Sequence, residues 1–316
     1  MSGHPPDPRY SEMEADVEQY RGRPWGAASE IGRLCKVLVH RPGPELSAID
    51  DSTRWLWTGK PNVAACQEEH DAMVEVLRKE KVEVLYLDRS VGDRAKTYFM
   101  RDQASVIKGG AVLSRMALDI RRGEERYVAS RLGELGVPIL RTVHGTGTLE
   151  GGDFMFLDTQ TVLIGSGART NREGFRQACE VLTTQGIRNV RAIPRPGYLN
   201  RFPMAFAHLD LAFNVAARDV AAAYLEGIPH GLLENVRARK TRLVEVPEKE
   251  AMRMATNFLV LKPGKIVTAA GNPKTTKALE ELHVEVLEVK VDELMKGGGS
   301  VRCMTMPLIR DEVGSG

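Results

Sequence analysis

The chain has 316 residues, enough for two ordinary domains or for one large α/β body. Its 44 Lys and Arg residues nearly balance 42 Asp and Glu residues, which leaves a formal net charge of only +2. This balance argues against nucleic acid or a membrane surface as a partner, and the basic block at residues 237–242 is typical of a solvated face.

The cysteine usage indicates a reducing compartment. Cys35, Cys66, Cys179 and Cys303 are far apart, and none forms a close Cys or His pair with metal-ligand spacing. A disulfide framework and a zinc site are therefore not expected. No apolar run is long enough to span a bilayer, and the N-terminus lacks the apolar core of a signal peptide. We expect a soluble, cytoplasmic protein.

The first part of the chain predicts an arm followed by a strand, a helix and a strand. Residues 1–24 are polar and rich in proline, so we expect a flexible arm with at most a short helix over 12–19, followed by a single domain over 25–316. Residues 36–40 predict a buried strand that ends at a Pro-Gly-Pro turn. Residues 62–80 have apolar positions at steps of three and four and predict a helix, which leads into a strand over 82–87.

This unit recurs along the chain. Apolar strands joined by tight turns are expected at 105–113 and 154–164, less clearly at 211–217, and again at 258–267. The five units are spaced at roughly 50 to 70 residues, which favours a closed ring of α/β units over a doubly wound sheet. The glycines at 165–167 lack the third glycine of a dinucleotide-binding turn, so we do not expect a nucleotide site there.

A cysteine follows three consecutive glycines near the end of the sequence. Gly297, Gly298 and Gly299 can adopt backbone angles closed to other residues and let a substrate pass close, which suits Cys303 as a nucleophile in a crowded pocket. The alternative is a buried structural cysteine beside Met304, because free cysteine is among the most buried residue types. This stretch alone leaves both interpretations open.

Two titratable residues share one apolar stretch in the second half of the chain. Strand alternation over 206–213 would place His208 and Asp210 on the same face. That face is either the wet side of an edge strand or the wall of an enclosed site.

Further carboxylates stand just ahead of strands. Glu150 and Asp153 flank two glycines before an apolar strand, and Asp102 also precedes one. Several carboxylates directed at one point repel each other unless a cation fills the gap. A planar guanidinium, with five N–H donors, does so with bidentate geometry. The pattern therefore predicts a guanidino ligand.

Four motifs in this order resemble the guanidine-modifying superfamily, which comprises the arginine deiminases, dimethylarginine hydrolases and amidinotransferases. They are Phe99-Met100-Arg101-Asp102, Glu150-Gly151-Gly152-Asp153, His208-Leu209-Asp210 and Cys303-Met304-Thr305-Met306-Pro307. The resemblance covers residues 29–312 and implies a five-bladed α/β propeller, the pentein fold, built from ββαβ-type units.

The resemblance also implies a reaction. Cys303 would attack the guanidinium carbon, His208 would protonate the departing amine and then activate water, and Glu150 would orient His208. The product would be a ureido compound, with no cofactor and no metal. The implied substrate-binding residues are Asp102, Asp210, Asp153, Arg121, Arg169, Lys96 and Phe99.

The sequence departs from the arginine deiminase pattern near the substrate's tail. The helical insertion of those enzymes is missing, since only residues 89–96 lie between the second strand and the next motif. Gly298 stands where an arginine is expected, Lys96 replaces an asparagine, and the lid sequence at 50–58 differs. L-arginine is the default substrate of this resemblance.

Three alternative functions stay open. They are dimethylarginine hydrolysis, transfer of the amidino group to an amine, and a non-catalytic binding module on the same fold. Assembly as a homo-oligomer is a separate question that the sequence also leaves open.

Overall fold

The computed structural model describes residues 25–195 and 207–313, so the predicted arm over 1–24 lies outside the described residues. The strands are β1 Leu34–Val39, β2 Glu83–Tyr86, β3 Ala104–Ile107, β4 Gly110–Leu113, β5 Ile139–Thr142, β6 Phe154–Asp158, β7 Thr161–Ser166, β8 Asn189–Pro194, β9 Phe213–Ala217, β10 Val220–Ala223, β11 Arg242–Glu245, β12 Leu259–Lys262, β13 Lys265–Ala269, β14 Glu285–Val289 and β15 Met306–Arg310. The α-helices are α1 Val63–Lys79, α2 Glu125–Glu134, α3 Arg172–Thr184, α4 His230–Ala238, α5 Glu248–Ala251, α6 Pro273–Glu281 and α7 Asp292–Met295.

The strands form five three-stranded sheets, which are the blades of the predicted α/β propeller. Four sheets follow the chain: β3-β4-β5, β6-β7-β8, β9-β10-β11 and β12-β13-β14. In each, an antiparallel hairpin is followed by a helix and then by a strand parallel to the middle one. A parallel third strand needs such a crossover connection, which explains the repeated ββαβ order. The prediction of a five-bladed ring is confirmed.

The fifth sheet joins the two ends of the described chain. Its middle strand, β1, pairs in parallel with β2 and antiparallel with β15, where Leu38 faces Met306. The first predicted unit therefore lacks its own hairpin, and residues 306–310 supply its third strand.

Helix α1 follows the predicted pattern closely. The Asn62 side chain caps it by accepting from the Ala65 amide. The apolar face buries Cys66, Met73 and Leu77 against the first sheet. Within the part of the chain that the structure covers, no helix is both long and apolar enough to cross a bilayer. All four cysteines are free thiols.

Each sheet is preceded by a short turn that presents one polar residue. Asp102, Asp153 and Asp210 lie in one-turn 3₁₀ helices directly before β3, β6 and β9. Asn257 and Cys303 stand in the turns before β12 and β15. Two of these residues, Asp102 and Cys303, line the pocket described below.

The predicted strand over 206–213 is wrong for its described part. His208 is extended, residues 209–211 form the 3₁₀ helix, and the strand begins only at Phe213. The backbone groups of this segment are held by side chains from other blades, since the Leu209 amide donates to Asp153 and the Thr256 hydroxyl donates to the Asp210 carbonyl. His208 and Asp210 therefore do not share a strand face.

Candidate active site

Most of the predicted site residues surround one small pocket. Its wall is formed by Lys96, Phe99, Asp102, Arg121, Arg169, Ala207, His208, Gly297, Gly298, Gly299 and Cys303. The space between these residues that no protein atom fills is about 290 Å³, which includes space open to solvent. Of the remaining predicted residues, Glu150 and Asp210 contact the wall residues His208 and Cys303, and Asp153 bonds to the amide of Leu209, next to His208. The ring thus brings together residues that are up to about two hundred positions apart in the sequence.

The loop before β15 fixes Cys303 at the pocket. The amides of Ser300 and Cys303 both donate to Asn257 Oδ1 (3.2 Å each), and the Cys303 carbonyl accepts from the Arg101 amide (3.0 Å). A side chain at Gly299 would place its Cβ 2.5 Å from the Phe99 ring and 2.9 Å from Cys303 Cβ. Glycine is required there by close approach, as the sequence interpretation expected.

The Cys303 thiol is buried among carboxylates. Its Sγ lies 3.8 Å from Asp210 Oδ2, and only 2% of the residue is exposed. Burial raises the pKa of Cys303 well above its usual value, and the charges of Asp210 and Asp102 raise it further. These surroundings favour the thiol form of Cys303, and a cation between Cys303 and the two carboxylates would favour the thiolate.

His208 is held by Glu150. Its Nε2 lies 2.8 Å from Glu150 Oε2, while Nδ1 is 3.6 Å from Asp102 Oδ1. Burial alone would lower the pKa of His208, but Asp102, Glu150 and Asp153 together raise it to about 9. His208 is therefore an imidazolium at neutral pH.

Glu150 is itself fixed by three donors. Oε1 accepts from the Ala117 amide (2.9 Å), and Oε2 accepts from Arg169 Nη1 (2.9 Å) as well as from His208. Burial would raise the pKa of Glu150, but Arg169 and His208 lower it below its ordinary value. Glu150 is therefore a carboxylate that orients a charged imidazole.

Asp153 and Gly152 set the position of His208. Asp153 Oδ1 accepts from the Leu209 amide (3.0 Å), and Oδ2 accepts from the Thr170 hydroxyl (2.7 Å). A Cβ at Gly152 would lie 2.7 Å from the His208 ring. The Glu-Gly-Gly-Asp motif thus provides both the support and the space for the histidine.

Asp102 is paired with Arg121. Oδ2 accepts from Arg121 Nη1 (2.5 Å), and Oδ1 accepts from the Gly152 amide (3.1 Å). Arg121 is held on its other side by Glu124, through contacts of 2.8 and 3.1 Å. Burial raises the pKa of Glu124 to about 7, although Arg121 opposes this.

Asp210 lies behind the thiol and is paired with Arg302. Oδ2 accepts from Arg302 Nη1 at 2.7 Å. Oδ1 is buried and has no hydrogen-bond partner among the described residues. Asp210 thus keeps one free acceptor beside Cys303.

Lys96 connects two segments at the mouth of the pocket. Its Nζ donates to the carbonyls of Leu56 (3.0 Å) and Gly297 (2.7 Å). Leu56 belongs to the lid sequence at 50–58, and Gly297 begins the cysteine loop. Burial, with Arg121 and Arg169, lowers the pKa of Lys96 well below its usual value. A lysine in this position is better suited to tie the two segments together than to act as a fixed positive charge.

Three side chains that support the site were not predicted. Asn257 anchors the cysteine loop, Arg302 pairs with Asp210, and Glu124 holds Arg121. The role of Glu124 could have been inferred from the sequence, since Glu124 lies three residues after Arg121. Asn257 and Arg302 contact residues far away in the sequence, so no local pattern indicates their roles.

Asp102, Glu150 and His208 offer ligand atoms within 4.8 Å of one another, a spacing that could hold a metal ion. However, both Glu150 oxygens already accept from protein donors, His208 itself bonds to Glu150, and Asp102 Oδ2 accepts from Arg121, so few lone pairs are left for a metal ion. This donor set fits a metal ion poorly.

The fold and the cysteine, histidine and carboxylate site define a member of the guanidine-modifying, or pentein, superfamily. A family model described as N,N dimethylarginine dimethylhydrolase, eukaryotic, matches residues 47–310. The chain therefore belongs to the dimethylarginine dimethylhydrolase family.

Two curated relatives are similar to this chain over most of their own length. The uncharacterized protein YkgA of Bacillus subtilis is 30% identical over 286 residues, which cover 90% of this chain and 95% of YkgA. The arginine deiminase of Listeria welshimeri is 24% identical over 404 residues, covering 90% of this chain and 98% of the deiminase.

Two solved structures share the fold. A variant of the dimethylarginine hydrolase from Pseudomonas aeruginosa, complexed with citrulline, superposes with a TM-score of 0.72 at 23% identity and covers 87% of this chain and 99% of its own. The N-terminal domain of ArgZ, a cyanobacterial arginine dihydrolase bound to substrate, gives 0.75 at 19% identity and covers 86% of this chain and 97% of its own.

Proposed function

We propose that this protein hydrolyses the guanidino group of L-arginine or a related guanidino compound to a ureido product, with release of ammonia or an amine. The observation that carries the proposal is the pocket in which Cys303, the His208 imidazolium and the Asp102 carboxylate meet. A guanidinium is the ligand that satisfies the carboxylates and presents an electrophilic carbon to sulfur.

In the first half of the reaction, the bound guanidinium activates the nucleophile. Its positive charge offsets Asp102 and Asp210, which otherwise keep the pKa of Cys303 high. The guanidinium N–H groups donate to Asp102 and to the free Oδ1 of Asp210. As the guanidinium binds, the Cys303 thiol releases its proton to solvent and becomes a thiolate. The thiolate sulfur then bonds to the guanidinium carbon, the bond from that carbon to one nitrogen breaks, and His208 gives its own proton to the departing amine.

In the second half, His208 acts as a base. Having given up its proton, it accepts one from water as the water oxygen bonds to the same carbon. The carbon–sulfur bond then breaks, which releases the ureido product and regenerates Cys303. Glu150 keeps the imidazole in one orientation throughout, because Arg169 and the Ala117 amide hold Glu150 in place.

The tail of the substrate meets a pocket end that differs from the arginine deiminase pattern. Arg121 and Arg169 line this end, but both already pair with carboxylates. Gly298 supplies no third arginine, and Lys96 contacts carbonyls. The carboxylate end of L-arginine is therefore held weakly here. We infer modest activity on L-arginine and better activity on a guanidino compound of altered length or substitution.

The match to the dimethylarginine dimethylhydrolase model favours N-methylated arginine as the second candidate substrate. A screen of L-arginine, dimethylarginine, agmatine and shorter or longer guanidino acids for ureido product tests both proposals. Parallel reactions with added primary amines separate hydrolysis from amidino transfer. Absence of any ureido or transfer product across the panel would contradict the proposed function and favour a binding module.

A further inference from the structure

A second cavity lies apart from the catalytic pocket, and the two share no wall residue among those that the structure describes. It is lined by Arg101, by segments of three different sheets, β3, β6 and β15, and by residues 27–30. The charged residues in its wall are Glu30, Arg101 and Arg310. About 20 Å³ is open to the centre of a water-sized sphere, which is room for one or two waters or one monatomic ion.

The arginines around this cavity have unused donors. Arg101 Nε and Nη2 and Arg310 Nη2 are buried and have no hydrogen-bond partner among the described residues. Arg101 is 9% exposed and Arg310 is 6% exposed. The other terminal nitrogen of Arg310 donates to the carbonyls of Gly32 (2.7 Å) and Val260 (2.8 Å), which holds the guanidinium in place.

The charges of the cluster are also unbalanced. Arg302 lies between Glu30 Oε1 (3.2 Å) and Asp210 Oδ2 (2.7 Å). Within the described part of the chain, three guanidinium groups therefore face two carboxylates, which leaves one positive charge. Water in the cavity would satisfy the N–H donors but not the charge, whereas a monovalent anion would satisfy both.

We propose that the cavity between Arg101 and Arg310 binds one small monovalent anion of the halide class, such as chloride. The anion accepts from Arg101 and from Arg310 Nη2. Glu30 is directed to Arg302 and to the Phe156 amide (3.4 Å), so part of its charge is already compensated. Room for one or two waters suits a monatomic anion.

The site is connected to the nucleophile through the backbone and through one ion pair. The Arg101 amide donates to the Cys303 carbonyl (3.0 Å), and Arg302 pairs with Asp210, whose Oδ2 is 3.8 Å from Cys303 Sγ. An anion bound in the cavity should therefore reduce the motion of the loop that carries Cys303. This inference does not depend on which guanidino compound is the substrate.

Diffraction from crystals grown in bromide, recorded at the bromine absorption edge, tests the site directly. We expect an anomalous peak within hydrogen-bonding distance of Arg101 and Arg310 in the wild-type protein. Water-like density without anomalous signal would overturn the proposal. This measurement needs no variant.

Thermal unfolding provides the second test. Replacing gluconate with chloride at constant ionic strength should raise Tm, and the rise should level off as the site fills. At a chloride concentration ten times Kd, we expect an increase on the order of 2 °C. Arg101→Gln should lose this response and Arg101→Lys should retain part of it. Arg188→Gln, at an exposed arginine, should respond like the wild type. An equal response to sulfate, or an unchanged response in a folded Arg101→Gln variant, would refute the site.

Discussion

Substitution of Glu150 by glutamine tests the proposed link between the carboxylate and the histidine. Asp102, Glu150 and Asp153 together hold the pKa of His208 at about 9, against the effect of burial. Because a carboxylate favours the imidazolium, its removal must lower this pKa. If the three contribute comparably, the pKa falls to roughly 8. Since His208 must be protonated to release the amine, the alkaline limb of kcat/KM should move to lower pH by the same amount.

The same substitution should also slow the reaction. Glutamine cannot accept from Ala117, Arg169 and His208 as the carboxylate does, so the imidazole loses part of its orientation. We expect kcat to fall roughly 100-fold, which is part of the 10²–10⁴-fold attributed to a positioned general acid or base. Glu234→Gln, at an exposed glutamate 3.5 Å from His230, is the matched control and should leave rate and pH profile unchanged.

The assay is steady-state kinetics across pH. It compares Glu150→Gln, Glu234→Gln, His208→Ala and the double variant that combines His208→Ala with Glu150→Gln. If Glu150 acts only through His208, the double variant should be little slower than His208→Ala alone. Multiplication of the two single defects, or an alkaline limb that stays near pH 9 in Glu150→Gln, would refute the reasoning.

The remaining predictions concern the nucleophile, the space for the histidine and the substrate. Cys303→Ser should lose roughly 10³-fold or more of the activity, and intact-protein mass spectrometry of the slowed Glu150→Gln enzyme should detect a substrate adduct on Cys303; wild-type turnover in Cys303→Ser would exclude covalent catalysis. Gly152→Ala places a Cβ 2.7 Å from the His208 ring and should reduce kcat on the order of 100-fold, whereas Gly59→Ala, with nothing within 4 Å, should not. On substrates, kcat/KM should be higher for a guanidino compound of altered length or substitution than for L-arginine; efficient use of L-arginine with all other guanidino compounds ignored would contradict this. Gly298→Arg would restore the arginine of the deiminase pattern but at a φ of 91°, so we expect reduced thermal stability rather than a clean gain on L-arginine.

The repeated hairpins could be predicted from sequence because their signals are local. Strands such as β6 and β7 are apolar and separated by a tight turn, and Asn62 marks the start of α1 by itself. The segment at 209–211 could not be predicted, because its shape depends on hydrogen bonds with Asp153 and Thr256 on other blades. The apolar alternation of this segment favours a strand, but those contacts outweigh that preference.

The site was predictable in its residue types and less so in its pairings. The superfamily motifs identified residues that the fold gathers around one pocket, but not the arginine behind Asp210. Arg302 is adjacent to Cys303 in sequence, yet its relevance comes from a partner ninety-two positions away. Lys96 is a further case, since nothing in the sequence indicated its bonds to the carbonyls of Leu56 and Gly297. Such pairings depend on three-dimensional distance, which a single sequence does not report.

The pairing of β15 with β1 has a consequence for the order of folding. These strands are about 270 residues apart, so their contact has one of the largest loop-closure costs in the molecule and should form late. Cys303 stands in the turn that immediately precedes β15, and its position depends on Asn257 and Arg101 from two other blades. A chain still emerging from the ribosome therefore has no assembled nucleophile until its last blade strand is in place. Reactivity toward guanidino compounds should appear together with ring closure, so its recovery during refolding reports the last step of assembly.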